Sequence, residues 1–326
     1  MFKNQKVLVT GGAGMIGREL VNLLLKEGAN VFIADLKEPN DLKDKVTFKR
    51  VDLRDFSSCL KICKGMDYVF NLVGIKCSPK VAIHELAKIM GPMMQFNTNM
   101  LEAAMKQNVK WYLYTSTVGV YQPSEILRED DVWSTQPSKN DWFGGWAKRM
   151  GELHCEAYQR QYKEGKCSIV RPANVYGSHD NFDLDSAMVV PSLIRKAFNN
   201  KKLKVWGDGS AIRDFVHARD VARGMIFAVK NKVTQPLNMG SGDEISIKRI
   251  AETIAKVANV SIEWDTTKPK GDPRRVFDMT RAKELGFEPE ISIEQGLKET
   301  IEWYLENKQF ADTGIDVFKS LEKELE

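Results

Sequence analysis

Three glycines near the N-terminus have the spacing of a phosphate-binding turn. Gly11, Gly14 and Gly17 follow a short apolar run and open a helical pattern. Glycines at such a turn let the backbone approach a pyrophosphate, whose charge then lies on the free N–H groups of the helix N-terminus. Asp35 ends the next strand candidate, 18 residues beyond Gly17. A carboxylate there accepts hydrogen bonds from both ribose hydroxyls of adenosine, so the pattern predicts a dinucleotide site.

Asp35 also bears on the choice of dinucleotide. A carboxylate at this position repels a 2′-phosphate, and only Lys37 follows it to offset the repulsion. The sequence therefore favours NAD over NADP. A glycine-rich turn that binds no ligand is the alternative interpretation.

Short β-rich runs alternate with helical patterns in the first half of the chain, which is typical of βαβ units that feed a parallel sheet. The strand candidates are Lys6–Thr10, Asn30–Asp35, Val46–Val51, Tyr68–Leu72, Trp111–Thr115 and Ser168–Arg171. The helical segments are Met15–Lys26, Phe56–Cys63, Gly91–Gln107 and Gly144–Tyr162. Each helix is long enough for a right-handed crossover. We expect an α/β fold with a Rossmann-type doubly wound parallel sheet.

The chain is longer than one such sheet requires, because 326 residues exceed the usual ~100–200 per domain. Beyond Pro172 the pattern predicts loops at Tyr176–Leu184 and Thr266–Arg275, helices at Ser186–Asn199, Ser246–Ala258 and in the tail from Gly314, and a buried strand at Pro236–Met239. We predict an NAD-binding Rossmann domain of residues 1–172 plus about 212–243. A smaller interleaved α/β substrate lobe comprises residues 173–211 plus 244–326.

Composition excludes several classes of function. Lys+Arg 48 against Asp+Glu 44 gives a formal net charge of +4, and both signs are scattered, so no nucleic-acid partner is expected. The longest uncharged stretches, Trp111–Ser124 and Ile89–Leu101, are shorter than the ~18 apolar residues of a membrane helix. The N-terminus lacks a secretory apolar segment, which predicts a cytoplasmic protein. Five cysteines without a CxxC pair favour reduced thiols and no metal site.

Six motifs in order resemble the extended short-chain dehydrogenase/reductase family, in its nucleotide-sugar epimerase and dehydratase branch. They are the GxxGxxG turn with Asp52-Leu53, Asn71-Leu72-Val73-Gly74, Thr115-Ser116-Thr117 with Val120-Tyr121, the run Arg171 to Gly177, Trp206 to Gly209 with Arg213 to His217, and Gly271 to Arg275. The run Asn174 to Phe182 and the V-W-G-D-G stretch are most similar to the GDP-L-fucose synthase subfamily. That likeness favours a GDP-sugar as the ligand.

The resemblance implies a site residue by residue. The implied NAD contacts are Gly11, Gly14, Met15, Ile16, Gly17, Asp35, Asp52, Leu53, Leu72, Val73, Gly74, Lys76, Asn97, Thr115, Lys148, Pro172, Asn174 and Val175. Among them, Asp52 contacts the adenine amine and Asn97 is a helix-start asparagine that supports the central strands. The implied contacts to a nucleotide-diphosphate sugar are Thr117, Asn174, Lys196, Trp206, Arg213 and Arg274. The family also forms homodimers through the helices predicted at Gly91–Gln107 and Gly144–Tyr162.

The catalytic positions depart from the family. Its chemistry depends on a tyrosine four residues before a lysine on one helix, where the ammonium favours a tyrosinate that removes a hydroxyl proton. Lys148 is present, but Gly144 occupies the tyrosine position. Gly119 and Met188 replace the cysteine and the histidine that the fucose synthases use for epimerisation. Neither residue exchanges a proton, which excludes fucose synthase activity.

Thr117 and Lys148 remain as the catalytic residues that the resemblance implies, and together they form an incomplete relay. Candidate replacements for the missing base are Tyr121, His179, Lys76 and Asp141. Each has an ordinary explanation as well: a packing tyrosine, a surface-loop histidine, a lysine on cofactor phosphate and a helix cap.

Two hypotheses follow. The first is an NAD-dependent nucleotide-sugar epimerase, dehydratase or oxidoreductase that oxidises a sugar hydroxyl to a ketone. The second is a catalytically silent subunit or sensor that binds NAD and nucleotide-sugar, and Gly144 motivates it.

Overall fold

The strands and helices alternate along the chain in the computed structural model, which describes residues 1–75, 85–162, 166–268 and 272–311. The strands are β1 (Lys6–Thr10), β2 (Asn30–Asp35), β3 (Thr47–Arg50), β4 (Tyr68–Asn71), β5 (Trp111–Thr115), β6 (Ile126–Leu127), β7 (Cys167–Pro172), β8 (Asn174–Tyr176), β9 (Lys202–Trp206), β10 (Ile212–Arg213), β11 (Phe215–His217), β12 (Leu237–Met239), β13 (Ile245–Ser246), β14 (Ser261–Asp265) and β15 (Arg274–Phe277). The helices are α1 (Met15–Lys26), α2 (Phe56–Cys63), α3 (Leu86–Lys106), α4 (Trp142–Gln161), α5 (Val189–Asn199), α6 (Ala218–Lys230), α7 (Ile247–Ala258), α8 (Thr280–Glu284), α9 (Ile293–Glu306) and α10 (Lys308–Ala311).

Seven parallel strands form the main sheet in the order β12-β7-β5-β4-β1-β2-β3. The strand order reverses between β1 and β4, so the carboxyl ends of these two strands border the crevice where doubly wound sheets bind ligands. Alternation along β1 sends Val7 and Val9 into the apolar layer on one face and Leu8 into the layer on the other. The α/β, Rossmann-type doubly wound architecture is confirmed.

Beyond β7 the chain adds a four-stranded sheet, β13-β10-β15-β6, and the strand pairs β11-β8 and β14-β9. Helices α5, α7 and α9 cover a third apolar cluster built from residues 176–311. The division into a Rossmann domain and an interleaved lobe at the predicted boundaries stays a prediction. Within the described ranges, no helix is long and apolar enough to cross a membrane.

Four predicted boundaries differ from the structure by two or more residues. Helix α5 begins at Val189, three residues after the predicted start at Ser186. Helix α3 begins at Leu86 rather than Gly91 and continues through Pro92, which places Asn97 inside the helix and not at its start. Helix α4 begins at Trp142, two residues before the predicted start. The segment predicted as a loop to Arg275 already contains β15, because Arg274 and Arg275 pair with β10. The predicted helix from Gly314 lies outside the described residues.

Candidate active site

The glycine-rich turn joins β1 to α1 and leaves the N-terminus of that helix open. The N-cap is Gly14, which has no side chain to accept a hydrogen bond from the first turn, and that turn contains no acidic residue. Gly11 has φ +69°, a left-handed backbone that favours glycine. A Cβ at Gly17 would lie 2.7 Å from the Cα of Gly12, so only glycine lets the helix pack on the turn. The N–H groups of Met15 and Ile16 thus point at a site suited to an anion.

Asp35 lies beside this turn, as the sequence predicts. Its Oδ2 accepts a hydrogen bond from the backbone N–H of Ala13 at 3.0 Å, and its Oδ1 accepts one from Leu36 N at 2.7 Å. Burial raises the pKa of this carboxyl. The open helix end and the carboxylate together fit the pyrophosphate and ribose of a dinucleotide.

The neighbouring strand ends complete the floor of the crevice. A Cβ at Gly11 would lie 3.3 Å from the carbonyl carbon of Leu72 and from the N of Val73, so the turn abuts the end of β4. Asp52 accepts hydrogen bonds from the N (2.9 Å) and Nε (2.7 Å) of Arg54. Leu53 is buried beside it.

Asn97 supports the central strands from inside α3. Its Oδ1 accepts a hydrogen bond from Asn71 Nδ2 at 3.2 Å, and Asn71 also donates to the Tyr112 hydroxyl at 2.8 Å. The Asn97 amide nitrogen is buried and has no partner among the described residues. The hydrogen bond to Asn71 joins α3 to the end of β4, and the expected position of Asn97 at a helix start is wrong.

Lys148 projects from α4 onto the ends of β4 and β5. Its Nζ donates hydrogen bonds to the carbonyl oxygens of Thr115 (2.8 Å) and Val73 (3.1 Å). A Cβ at Gly74 would lie 3.5 Å from the same nitrogen, so Gly74 leaves room for the ammonium. Burial lowers the pKa of Lys148 to about 7. The buried Thr115 hydroxyl has no partner in the described part of the chain, so a polar ligand group there would find both a donor and an acceptor.

Gly144, the residue that the resemblance aligns with the family's tyrosine, borders open space. Its Cβ position would meet only Ile89 Cγ2 within 4 Å, at an ordinary contact distance of 3.8 Å. Among the described residues outside α4, therefore, no side chain occupies the position of a Cβ at residue 144.

Two of the four candidate replacement bases are held away from this place. The Tyr121 hydroxyl donates to Asn238 Oδ1 at 2.5 Å and accepts from Arg171 Nη1 at 3.0 Å, and burial raises its pKa well above the usual range. His179 packs against Trp303 with ring centroids 4.5 Å apart, and burial together with the charge of Arg18 lowers its pKa to about 4. Tyr121 fits its ordinary role as a packing tyrosine, whereas His179 is half-buried against Trp303 and is not the exposed loop residue that the sequence predicts. Lys76 lies outside the described residues.

The fourth candidate, Asp141, reaches into the site. It is the N-cap residue of α4, yet its side chain makes no cap hydrogen bond. A Cβ at Gly119 would lie 3.2 Å from the Asp141 Cβ, 3.4 Å from its Cγ and 3.4 Å from Thr117 Cγ2. The Asp141 carboxyl and Thr117 therefore border one small space. Burial raises the pKa of Asp141, and the charge of Arg275 opposes that rise.

Thr117 forms the N-cap of a single 3₁₀ turn after β5. Its Oγ1 accepts a hydrogen bond from the N–H of Gly119 at 3.3 Å, which leaves its hydroxyl proton available to a ligand.

Arg275 is a site residue that sequence reasoning missed. It pairs with Arg213 across β15 and β10, so both side chains leave the same face of the small sheet. Burial and the charge of Arg275 lower the pKa of Arg213, and the buried Nε of Arg275 has no partner in the described ranges. Arg274 leaves the opposite face and its Nη2 lies 2.5 Å from Glu244 Oε1. The motif from Gly271 to Arg275 contains both arginines, and the alternation of side chains along a strand indicates that they leave opposite faces.

The remaining predicted substrate contacts lie on other elements of the second half of the chain: Trp206 ends β9, Lys196 lies in α5 and Asn174 begins β8. Trp206 is 57% exposed, which excludes an ordinary core role, and the ammonium groups of Lys196 and Lys268 lie 6.0 and 5.8 Å from its ring centroid. Asn174 donates from Nδ2 to the carbonyl oxygen of Asp214 at 2.7 Å. Of the predicted cofactor contacts, Pro172 ends β7 and Val175 lies in β8. Met188, which the resemblance places where the fucose synthases have their histidine, is the N-cap of α5.

The fold and this crevice define a Rossmann-type nucleotide-binding protein. The family model described as "NAD dependent epimerase/dehydratase family" matches residues 7–240, and the chain belongs to that family.

Sequence similarity to individual relatives extends over nearly the whole chain. A putative GDP-L-fucose synthase 2 of Arabidopsis thaliana is 31% identical over 316 residues, which cover 94% of this chain and 93% of that protein. A UDP-N-acetyl-alpha-D-glucosaminuronate decarboxylase of Bacillus cytotoxicus is 32% identical over 320 residues, with coverage of 93% and 98%. The UDP-glucose 4-epimerase of Thermotoga maritima, solved with UDP-glucose, superposes with a TM-score of 0.80 at 27% identity and covers 93% of this chain and 100% of that one.

Proposed function

We propose that this protein is an NAD-dependent enzyme that oxidises a hydroxyl of a nucleotide-diphosphate sugar to a ketone, as an epimerase, dehydratase or related oxidoreductase. The observation that carries the proposal is the placement of Lys148, whose ammonium donates to the carbonyl oxygen of Val73, the residue against which Gly11 of the glycine-rich turn packs. The open end of α1 beside it fits a dinucleotide, and the paired guanidinium groups of Arg213 and Arg275 fit a diphosphate.

NAD rather than NADP is the proposed cofactor because of Asp35. Its carboxylate already accepts a hydrogen bond from Ala13 N in the glycine-rich turn, and it would also accept hydrogen bonds from the two ribose hydroxyls of adenosine. A 2′-phosphate in the same place would meet a negative charge. The bound nicotinamide would supply a two-electron acceptor for hydride from the sugar carbon. The other proposed cofactor contacts are those that the family resemblance implies.

Lys148 and Thr117 are proposed to orient the reacting groups. The Lys148 ammonium is fixed by two carbonyl oxygens and has a third N–H to donate to the nicotinamide ribose. Thr117 would donate its hydroxyl to the reacting sugar oxygen. Both residues would lower the barrier by holding the sugar carbon near the hydride acceptor.

The diphosphate is proposed to lie between Arg213 and Arg275, because two like charges on one sheet face are stabilised by an anion between them. Trp206 offers an exposed ring on which the base would stack, and Lys196 lies beside it. Asn174 remains a proposed contact. Arg274, which the family motif implies, leaves the opposite face of the sheet and pairs with Glu244, so Arg275 is proposed in its place. The likeness to the fucose synthases favours a GDP-sugar.

A homodimer is proposed through α3 and α4. Their surfaces expose Leu86 (39%), Met94 (38%) and Leu153 (45%), which are large apolar side chains. Light scattering on a sizing column tests this assembly, and a monomer at micromolar concentration contradicts it.

Purified protein incubated with NAD and a panel of GDP-, UDP- and dTDP-linked sugars tests the function. Mass spectrometry and NMR of the sugar are expected to reveal an epimer, a dehydrated sugar or an oxidised sugar. No turnover of any member while both ligands bind contradicts the proposal.

That contradicting result would favour the second candidate, a silent subunit or sensor that binds NAD and nucleotide-sugar. Gly144 is the observation in its favour, because the family's proton carrier is absent there. It predicts ligand-dependent thermal stabilisation without chemistry.

A further inference from the structure

We infer that Asp141 is the general acid/base of this site and takes over the task of the tyrosine that Gly144 replaces. The inference rests on the proposed function. Its geometric basis is the carboxyl group that borders the same small space as Thr117, on the helix that carries Lys148.

Helix geometry places Asp141 in line with the catalytic positions. Residues 141, 144 and 148 are separated by three and four positions, so they share one side of α4. Asp141 lies one turn before Gly144, a displacement of about 4.5 Å along the axis. The carboxyl therefore enters the site one turn earlier than a tyrosine side chain would.

The position along the ligand agrees with this role. Thr117 and Lys148 mark the end where the nicotinamide would lie, and Arg275 marks the proposed diphosphate. Asp141 borders both ends: its Cγ and Thr117 Cγ2 would each lie 3.4 Å from a Cβ at Gly119, and its carboxyl is close enough to Arg275 to feel that charge. A sugar ring joins those two ends, so its hydroxyl groups would pass the carboxyl.

Two ordinary roles for Asp141 do not account for its placement. As an N-cap residue it would accept a hydrogen bond from the first turn of α4, and it accepts none. By contrast, Asp55 at the start of α2 accepts hydrogen bonds from Ser57 N and Ser58 N. As a partner of Arg275 it would form an ion pair, yet no such contact within 4 Å joins these two described residues. The carboxylate oxygens can therefore accept hydrogen bonds or a proton from a ligand.

The proposed step balances within the site. The sugar O–H bond breaks and its proton passes to a carboxylate oxygen of Asp141. The O–H electron pair would form the second bond of the ketone as the C–H bond breaks, and a bound nicotinamide would supply the two-electron acceptor for the hydride. In the reverse direction the protonated Asp141 returns the proton to the ketone oxygen.

The test compares D141N, D55N and D141N/G144Y with the wild type on the sugar nucleotide that the panel identifies. Asparagine has the shape of aspartate and caps a helix about as well, but its amide neither gains nor loses a proton near neutral pH. We expect kcat to fall about 10²–10⁴-fold in D141N. Titration with NAD and with GDP is expected to give dissociation constants within about threefold of wild type, and D55N is expected to keep full activity. D141S runs in parallel as a second cap-competent variant should D141N fold poorly.

The double variant decides whether Asp141 stands in for the tyrosine. A Cβ at residue 144 has room, so we expect the kcat of D141N/G144Y to be at least about tenfold higher than the kcat of D141N. A D141N kcat within about threefold of wild type overturns the inference. So does a joint loss of activity and ligand binding that G144Y does not restore, because it assigns Asp141 to structure. A wild type that binds NAD and GDP but turns over no sugar refutes the proposed function, and this inference with it.

Discussion

Arg213 and Arg275 are direct cross-strand neighbours, and their guanidinium groups leave one face of the small sheet side by side. Burial and this like charge lower the pKa of Arg213, and the Arg275 Nε is buried without a partner among the described residues. A bound diphosphate would satisfy both groups. This arrangement supports the proposal that the pair binds the diphosphate, while Arg213 Nη1 also donates to the carbonyl oxygens of Ile212 and Asp272.

Replacing Arg275 by methionine should weaken GDP binding by about 10–100-fold, which corresponds to the loss of one or two charge-assisted hydrogen bonds. Arg274 is the matched comparison, because it precedes Arg275 and leaves the other face toward Glu244. R274M should change the affinity by less than about threefold. Calorimetric titration with GDP measures both, and equal losses in the two variants would count against the assignment of Arg275.

Removing the carboxylate of Asp35 should change the preference between the dinucleotides. D35A loses the acceptor of the ribose hydroxyls, so NAD affinity should fall about 10–100-fold, while NADP affinity changes less because the repulsion of its phosphate is relieved. Exposed Asp44 supplies the control variant D44A. Fluorescence titration with both dinucleotides gives the ratio, and an unchanged ratio in D35A would show that Asp35 does not read the ribose.

Two glycine-to-alanine variants should have opposite effects on stability. The added methyl group at Gly17 would overlap the backbone of the turn, and we expect a loss of about 1–3 kcal/mol together with weaker NAD binding. At Gly144, inside α4, the new Cβ would meet only Ile89 Cγ2 among the described residues outside the helix's own backbone, at an ordinary contact distance of 3.8 Å. G144A should gain up to about 1 kcal/mol from helix propensity. Urea unfolding measures both, and a neutral G17A would contradict the packing described for the turn.

Lys148 makes stability depend on pH above neutrality. Its pKa is about 7 in the folded chain and lies near 10.5 when unperturbed, so between these values the unfolded state binds more protons. The free energy of unfolding should therefore rise with pH from about 7 to about 10 by way of this group. K148M should flatten that rise. Urea unfolding at several pH values measures it, and parallel curves for K148M and wild type would refute the low pKa.

The fold was predictable from the sequence because its signals are local. The glycine turn, the predicted bounds of α1 and α2, and the position of Asp35 depend on residues close together in the chain. Two features were not predictable in the same way. The difference between Arg274 and Arg275 needs the register of β15 against β10, which joins segments 62 residues apart at Arg213 and Arg275. The start of α3 was misplaced because a proline inside the helix resembles a first turn.

Asp141 illustrates the limit of sequence reasoning at the site itself. An aspartate before a helix is ordinarily a cap, and the sequence offers no sign that this one makes no cap hydrogen bond. Its direction depends on Gly119 and Thr117, which approach from the loop after β5 and leave room for a carboxyl. Only the three-dimensional arrangement distinguishes a structural aspartate from one that faces a substrate.

The most direct test of the account follows the product and the cofactor together. Wild-type protein is incubated with NAD and the panel of nucleotide sugars, and each sugar is analysed by mass spectrometry and NMR. We predict turnover of at least one nucleotide-diphosphate sugar, with K148M reducing it at least about 100-fold. Binding of NAD and GDP without turnover of any sugar would contradict the account.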